Sequence, residues 1–302
     1  VTETLSHQDV IYAFSKTHPP VKRINSGTTI EIETYDCFKN QVQSPDTKIS
    51  GIDWDAINPA TGPIFVNGAS AGDILKVTIQ KLNIGDQGVM ATGPDLGVMG
   101  HRLTELESKI IPIENGVAKF NNRLSIPLNP MIGVIGVAPE GEPISCGTPG
   151  AHGGNMDTKL ITEGAVLYFP VFAEGALFAL GDFHAAMGDG EIGVSGIEVP
   201  GSAVVTLDVI KNTPLNHPLL ENEKGFTFLV SAETLDEAVK IAVEETADLL
   251  AARTKLSLSE VTMLLSAVGQ VQVSQVVDPL VTVRFFVPRY ILETYGAALL
   301  AE

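Results

Sequence analysis

The chain reads as a mainly β protein, with a jelly-roll or β-sandwich-like core, additional β-barrel-like elements and a C-terminal α+β region. Three observations carry this expectation. Short, alternating apolar runs fill the sequence from Thr28 to about Leu229. Gly, Pro and Asn-Gly signals break those runs at the spacing of antiparallel strands. Helical capping and helical periodicity enter only after Ser231. Residues 1–230 are therefore expected to form a β-rich catalytic region, and residues 231–302 an α+β region packed against it as one compact unit. With 302 residues, the chain is long enough for a large core.

Individual elements follow from local patterns. Ile30, Ile32 and Thr34 alternate with Glu31, Glu33 and Tyr35, placing the two sets on opposite faces of one strand. Pro63 to Ile84 reads as strand, turn and strand, with Gly68 and Gly72-Asp73 at the turn. Glu114-Asn115-Gly116 marks a hairpin ahead of Val117 to Pro127. Sequence patterns do not choose among sandwich, jelly roll and barrel for such strands. Beyond Ser231, Thr234 and Glu237 have capping-box spacing, and Val239, Ala242, Val243, Thr246, Leu249 and Leu250 share a helical face. Ser257 and Glu260 open a second helix with a Leu258, Val261, Leu264, Leu265 and Val268 stripe. Strands near Val271–Val277 and Leu280–Val287 flank the Asp278-Pro279 break, and Pro288 opens a terminal helix through about Leu300.

Charge and composition exclude several function classes. A net charge of -17, with dispersed Lys and Arg, argues against nucleic acid as a partner. No apolar run approaches the roughly 20 residues that cross a bilayer, so no membrane association is expected. The polar start, Val1 to Val10, lacks a basic cluster followed by an apolar block, and a cytoplasmic location is the expectation. An excess of carboxylates favours a divalent cation. The two cysteines, Cys37 and Cys146, are too few for a disulfide framework, are not spaced as a zinc pair, and read as buried thiols.

Chemistry-bearing residues concentrate in two segments. Gly181-Asp182-Phe183-His184-Ala185-Ala186-Met187-Gly188-Asp189-Gly190-Glu191 sets three carboxylates and an imidazole between apolar runs. On an extended backbone Asp182 and His184 share a face, and Asp189 and Glu191 pair likewise after the turn. Carboxylate oxygen and imidazole nitrogen suit Zn²⁺, and additional carboxylates suit Ca²⁺. The competing reading makes Gly188-Asp189-Gly190 an ordinary turn and His184 a core histidine. The second segment, Gly147 to Asp157, is a Gly-rich loop that offers His152 and Asp157 as ligands, or else is a flexible surface loop. Glu33 and Asp36 end a strand-like run and either reach the same site or cap a turn.

These segments, together with Glu33-Thr34-Tyr35-Asp36-Cys37-Phe38, Asn58-Pro59-Ala60-Thr61-Gly62-Pro63 and the Pro127–Pro139 run, resemble the acetamidase/formamidase family over most of the chain. The resemblance implies hydrolysis of a formamide-like or acetamide-like substrate by a mostly β protein, with a divalent metal near the histidine and carboxylates. Candidate metal ligands are Glu33, Asp36, His152, Asp157, Asp182, His184 and Asp189, with Zn the first choice of ion and Ca the second. Glu142 and Glu191 are the candidate acid/base residues, and Met187 and Gly153 the candidate substrate contacts. Met187 stands where the family pattern carries Gln, which alters pocket polarity and the choice of amide. A homo-oligomer, a dimer in the simplest case, is expected.

Amide hydrolysis needs a polarised carbonyl and a proton for the departing nitrogen, and an ion with a neighbouring carboxylate supplies both. Neither cysteine lies in the Glu and Lys setting of a thiol amidase, and no Ser-Ser-Lys context is present. Two other readings stay open. One is a cupin-like metal oxygenase with a two-histidine, one-carboxylate iron site. The other is a non-catalytic β-sandwich that binds carbohydrate through Ca²⁺.

Overall fold

The computed structural model describes residues 3–300, so residues 1–2 and 301–302, the extremities of the two expected regions, lie outside the described residues. Two large sheets are stacked face to face. The nine-stranded sheet runs in the order Glu3–Leu5, Thr28–Thr34, Gly201–Ile210, Ile74–Ile84, Val166–Pro170, Leu219–Glu221, Gly225–Ala232, Val281–Pro288 and Gln270–Gln275. The eleven-stranded sheet centres on Phe178–His184, which pairs with Met131–Gly136, Glu198–Val199 and Ala60–Asn67. The mainly β expectation holds, and the C-terminal strands extend the nine-stranded sheet rather than forming a sheet of their own.

Period-two patterning explains the stacking. Ile30 and Ile32 on Thr28–Thr34, Val77 and Ile79 on Ile74–Ile84, and Val205 and Leu207 on Gly201–Ile210 all point inward and are fully buried. They meet Ile132, Ile135, Phe178, Leu180 and Phe183 from the other sheet in one core. Each such side chain contributes about 1.5–3 kcal/mol of burial free energy, so this interface is the dominant source of stability.

A second core lies on the outer face of the nine-stranded sheet. Phe226, Phe228 and Val230 face cross-strand partners Val287, Phe285 and Val283. Two helices, α1 (Leu235–Thr254) and α2 (Leu258–Val268), cover them. The buried face of α1 is centred on Ala238, Ala242, Thr246 and Leu250, one step from the expected stripe, so Val239 and Leu249 are only partly buried. Thr234 caps α1 by accepting from the Glu237 amide, and the Ser257 and Glu260 capping box of α2 is complete. On α2, Val261 and Leu265 are buried while Leu258 is exposed. The terminal helix, α3 (Tyr290–Thr294), is shorter than expected because Gly296 takes a left-handed φ of 57° and ends it. Among the described residues, no helix is long and apolar enough to cross a membrane.

Candidate functional site

The Phe178–His184 strand is buried along its whole length, so its two polar side chains, Asp182 and His184, are delivered to the interior rather than to water. His184 lies opposite Met131 on one neighbouring strand and Glu198 on the other. Its Nε2 is 3.2 Å from Glu198 Oε2, 3.4 Å from Asp182 Oδ1, 3.6 Å from Asp157 Oδ1 and 4.0 Å from Glu191 Oε1. Asp278, from the turn after Gln270–Gln275, lies against Asp157. The Cys37 thiol groups with Asp182 and Glu198, with donor atoms within 4.8 Å of one another, as do those of Asp157, His184 and Glu191.

Local backbone geometry is bent to make this cluster. Asp157, Asp182 and Glu191 have φ of 39°, 56° and 46°, a left-handed region that costs L residues steric strain. Asp182 therefore reaches His184 through a kinked strand and not through the regular i, i+2 alternation expected of it. Two glycines clear the space. A Cβ at Gly133 would run into the carboxylates of Asp182 and Asp157, and one at Gly196 would meet His184 Nδ1 at 2.6 Å.

Five carboxylates and one imidazole share this interior, and burial and their mutual charges together set their acidities. Burial pushes Asp157 up to about 6 with help from Asp182, and Glu198 up to about 8, again with help from Asp182 and against the pull of His184. Glu191 and Asp278 are raised well above the carboxylate range by burial and by Asp157. Burial lowers His184, but Glu198 and Asp182 overcome it and hold the imidazole protonated well above its usual range. Asp182, resisting burial through the same imidazole, is the acid that stays low. Carboxylate oxygens on Asp157, Asp182, Glu191, Glu198 and Asp278, and both nitrogens of His184, are buried without a hydrogen-bond partner among the described residues. Such an arrangement is costly unless a cation or shared protons neutralise it.

Of the residues singled out in the sequence, Asp157, Asp182, His184 and Glu191 meet in this cluster. Asp36 borders it: buried, and raised to about 6 by burial and by Asp182, it accepts a 2.7 Å bond from the Asn40 amide. Glu33 points elsewhere, its half-exposed carboxylate 3.1 Å from His7 Nδ1. Asp189 is turned away from Glu191 and paired with Arg284 at 2.7 Å and Lys159 at 2.9 Å; against burial, these two bonds hold its carboxyl below the usual range. Glu142 is an exposed loop residue. His152 is buried, has no hydrogen-bond partner for its ring nitrogens among the described residues and makes a T-shaped contact with Phe14, and burial pushes it down to about 4. Gly153, at φ 95°, sits where a Cβ would strike the Ile135 carbonyl, and Met187 is buried.

Sequence reasoning missed Glu198, Asp278 and the position of Cys37. Glu198 had a signal, since it is the one charge between Ile197 and Val199. Asp278 carried none, because Asp-Pro reads as a turn.

Among the described residues, two of the surface cavities are open to solvent. The larger, about 490 Å³, lies between α3 and the nine-stranded sheet and touches none of the clustered acids. The smaller, about 380 Å³, is lined by His7, Glu33, Thr34, Asn40, Pro200 and Ser202. None of the clustered acids lines it, but Asn40 does, and its backbone N–H donates to Asp36 at the border of the cluster.

A β-sandwich with a buried imidazole and carboxylate centre is the class defined by fold and site together. The chain belongs to the Acetamidase/Formamidase family, whose model matches residues 6–145 and 146–294. It is 52% identical to a recombinant predicted acetamidase/formamidase from Thermoanaerobacter tengcongensis, covering 98% of each chain with a TM-score of 0.96. It is 44% identical to an acetamidase from Bacillus halodurans, covering 97% of this chain and 100% of that one with a TM-score of 0.95. A Schizosaccharomyces pombe relative is 24% identical over 259 residues, 65% of this chain, and the chain spans 63% of that relative's length.

Proposed function

We propose that the chain hydrolyses a short-chain amide to its carboxylate and ammonia at the centre around His184, with a divalent cation held there. Relatives named acetamidase and formamidase support the substrate class. One observation carries the site: unpartnered carboxylates converge with a buried imidazole, three of them on left-handed backbones. The donor set fits a cation. His184, Asp157 and Glu191 form one potential ligand group, and Cys37, Asp182 and Glu198 a second. Nitrogen, oxygen and thiolate donors suit Zn²⁺, and a share of the site made only of carboxylates suits Ca²⁺. When bound, such an ion polarises the amide carbonyl and makes water acidic near neutral pH.

The chain's own residues do the rest. His184 and its partners must shed their shared protons as the site fills, so filling is pH-dependent. Glu191 would take the proton of the attacking water on one carboxylate oxygen and deliver it to the departing nitrogen, a proton affinity that burial and Asp157 favour by raising its carboxyl well above the ordinary range. Asp36, at the border of the cluster, accepts from the backbone N–H of Asn40, a residue that lines the smaller cavity, and this is the side from which a small amide would enter. The test is ammonia release from formamide, acetamide, propionamide and larger amides by metal-stripped and Zn²⁺-loaded protein. Release from short amides only, and only after loading, is expected; no release from any amide by folded, loaded protein overturns the proposal.

A further inference from the structure

We propose that Arg284 is the positioning residue that locks three acid-bearing segments of this centre into register, an inference that rests on the proposed function. Arg284 lies on Val281–Pro288 and is the largest fully buried side chain among the described residues. A buried guanidinium this deep requires partners for its donors, and it has them. Nε donates to Gln272 Oε1 at 2.7 Å, Nη1 to the Val273 carbonyl and to Ser274 Oγ at 3.3 Å each, and Nη2 to Asp189 Oδ2 at 2.7 Å.

Two of these contacts, to Asp189 and to Ser274, lead to three acids. Asp189 sits two residues before Glu191, and its turn is tied down further by Gly190 N donating to the Ser274 carbonyl at 2.8 Å and Val276 N donating to the Gly190 carbonyl at 3.1 Å. Ser274 Oγ accepts from Thr158 Oγ1 at 2.8 Å, and Thr158 follows Asp157 directly. Ser274 also belongs to the strand that runs into the Asp278 turn, whose amide, with that of Val277, donates to Gln275 Oε1 at 2.9 Å. Asp157, Glu191 and Asp278 share a buried space, and none lies in a regular strand. The planar fork of Arg284 touches two supports, Asp189 next to the Glu191 turn and Ser274, which serves both Asp157 through Thr158 and the strand leading to Asp278. A lysine there would keep the charge and lose the fork.

The account separates Arg284 from a merely structural core residue, and Asp189 from a ligand. Metal-stripped full-length wild type, Asp189→Asn, Arg284→Lys and the double variant are titrated with ZnCl₂ by calorimetry, and kcat, KM for acetamide and Tm are measured on the same preparations. Each single variant is expected to weaken Zn²⁺ binding about 10- to 100-fold, as loss of an outer support does. The expected kinetic loss is in kcat, with KM little changed. The double variant is expected to be no worse than the poorer single one, because both break the same contact. Asp189 acting as a direct ligand would instead bind as well or better in Arg284→Lys, which frees it. Unchanged Zn²⁺ affinity and kcat in Asp189→Asn, multiplied losses in the double variant, or an Arg284→Lys protein that loses Tm alone, each overturn the proposal. If Arg284→Lys does not fold, Asp189→Asn, at the solvent-facing end of the pair, decides. A wild type that releases ammonia without taking up Zn²⁺ refutes the metal reading and leaves kcat to decide on Arg284; a wild type that does neither overturns both.

Discussion

His184 Nε2 and Glu198 Oε2 face each other at 3.2 Å across adjacent strands, both buried and both without a hydrogen-bond partner among the described residues. That pairing makes Glu198→Gln an informative substitution. Above 4.5 the unfolded chain ionises Glu198 while burial keeps it protonated in the fold up to about 8, a folding cost that Gln lacks, so metal-free Glu198→Gln is expected to melt above metal-free wild type. The gap has a defined pH dependence. The Glu198 carboxyl is raised from 4.5 to about 8 on folding, so the folded state binds the extra proton between those values. Its contribution is full below 4.5 and is lost as pH rises through 8, and the advantage of the variant therefore widens over that window. Melting scans at several pH values check this; a constant gap contradicts it.

Glu191 and Glu142 are separated by a paired test. Glu191→Gln removes a buried proton donor and is expected to lower kcat about 10²- to 10⁴-fold. Glu142→Gln changes an exposed loop side chain and is expected to leave kcat within about twofold. Equal losses in the two variants would return Glu142 to the chemistry.

The two thiols should behave differently. Cys146 lies in an apolar cluster with Ile11, Phe14 and Ala179, and burial pushes it up to about 12. Cys146→Ala is expected to cost about 1 kcal/mol of stability and little turnover. Burial, Glu198 and Asp182 hold Cys37 well above its usual range, so neither thiol is a ready nucleophile. Cys37→Ala is expected to weaken Zn²⁺ binding while Cys146→Ala does not, as metal analysis after dialysis will show.

His152 offers a pH signature of its own. Burial lowers it from 6.5 to about 4, so the unfolded chain binds its proton first, and the stability it contributes is complete above 6.5 and lost as pH falls towards 4. His152→Gln does not titrate. Relative to wild type, the variant is expected to gain on the order of 3 kcal/mol, at most, between those limits. A pH-independent difference in unfolding free energy would show that His152 is not buried neutral.

Much of the fold and part of the site were legible because they depend on local rules. Ile30 and Ile32 face the core as alternation requires, and Ser257 caps α2 through its box with Glu260. Asp182 and His184 announced themselves as polar residues in an apolar strand. What escaped was set by long-range pairing. Asp189 is taken out of the cluster by its bond to Arg284, 95 residues away in sequence. Glu198 joins His184 only because their strands are neighbours, and Asp278 because the C-terminal strands close one edge of the nine-stranded sheet. His152, beside Asp157 in a Gly-rich loop, turns instead towards Phe14.

The central claim is that the His184 cluster holds the working cation. An anomalous difference map at the zinc absorption edge, from crystals grown with Zn²⁺, tests it most directly. The account predicts a peak within about 2.3 Å of His184 Nε2 or of carboxylate oxygens among Asp157, Asp182, Glu191 and Glu198, with Arg284 still on Asp189. A map whose peaks lie at Asp189, Glu33 or His152, with none at His184 and its carboxylates, would contradict it.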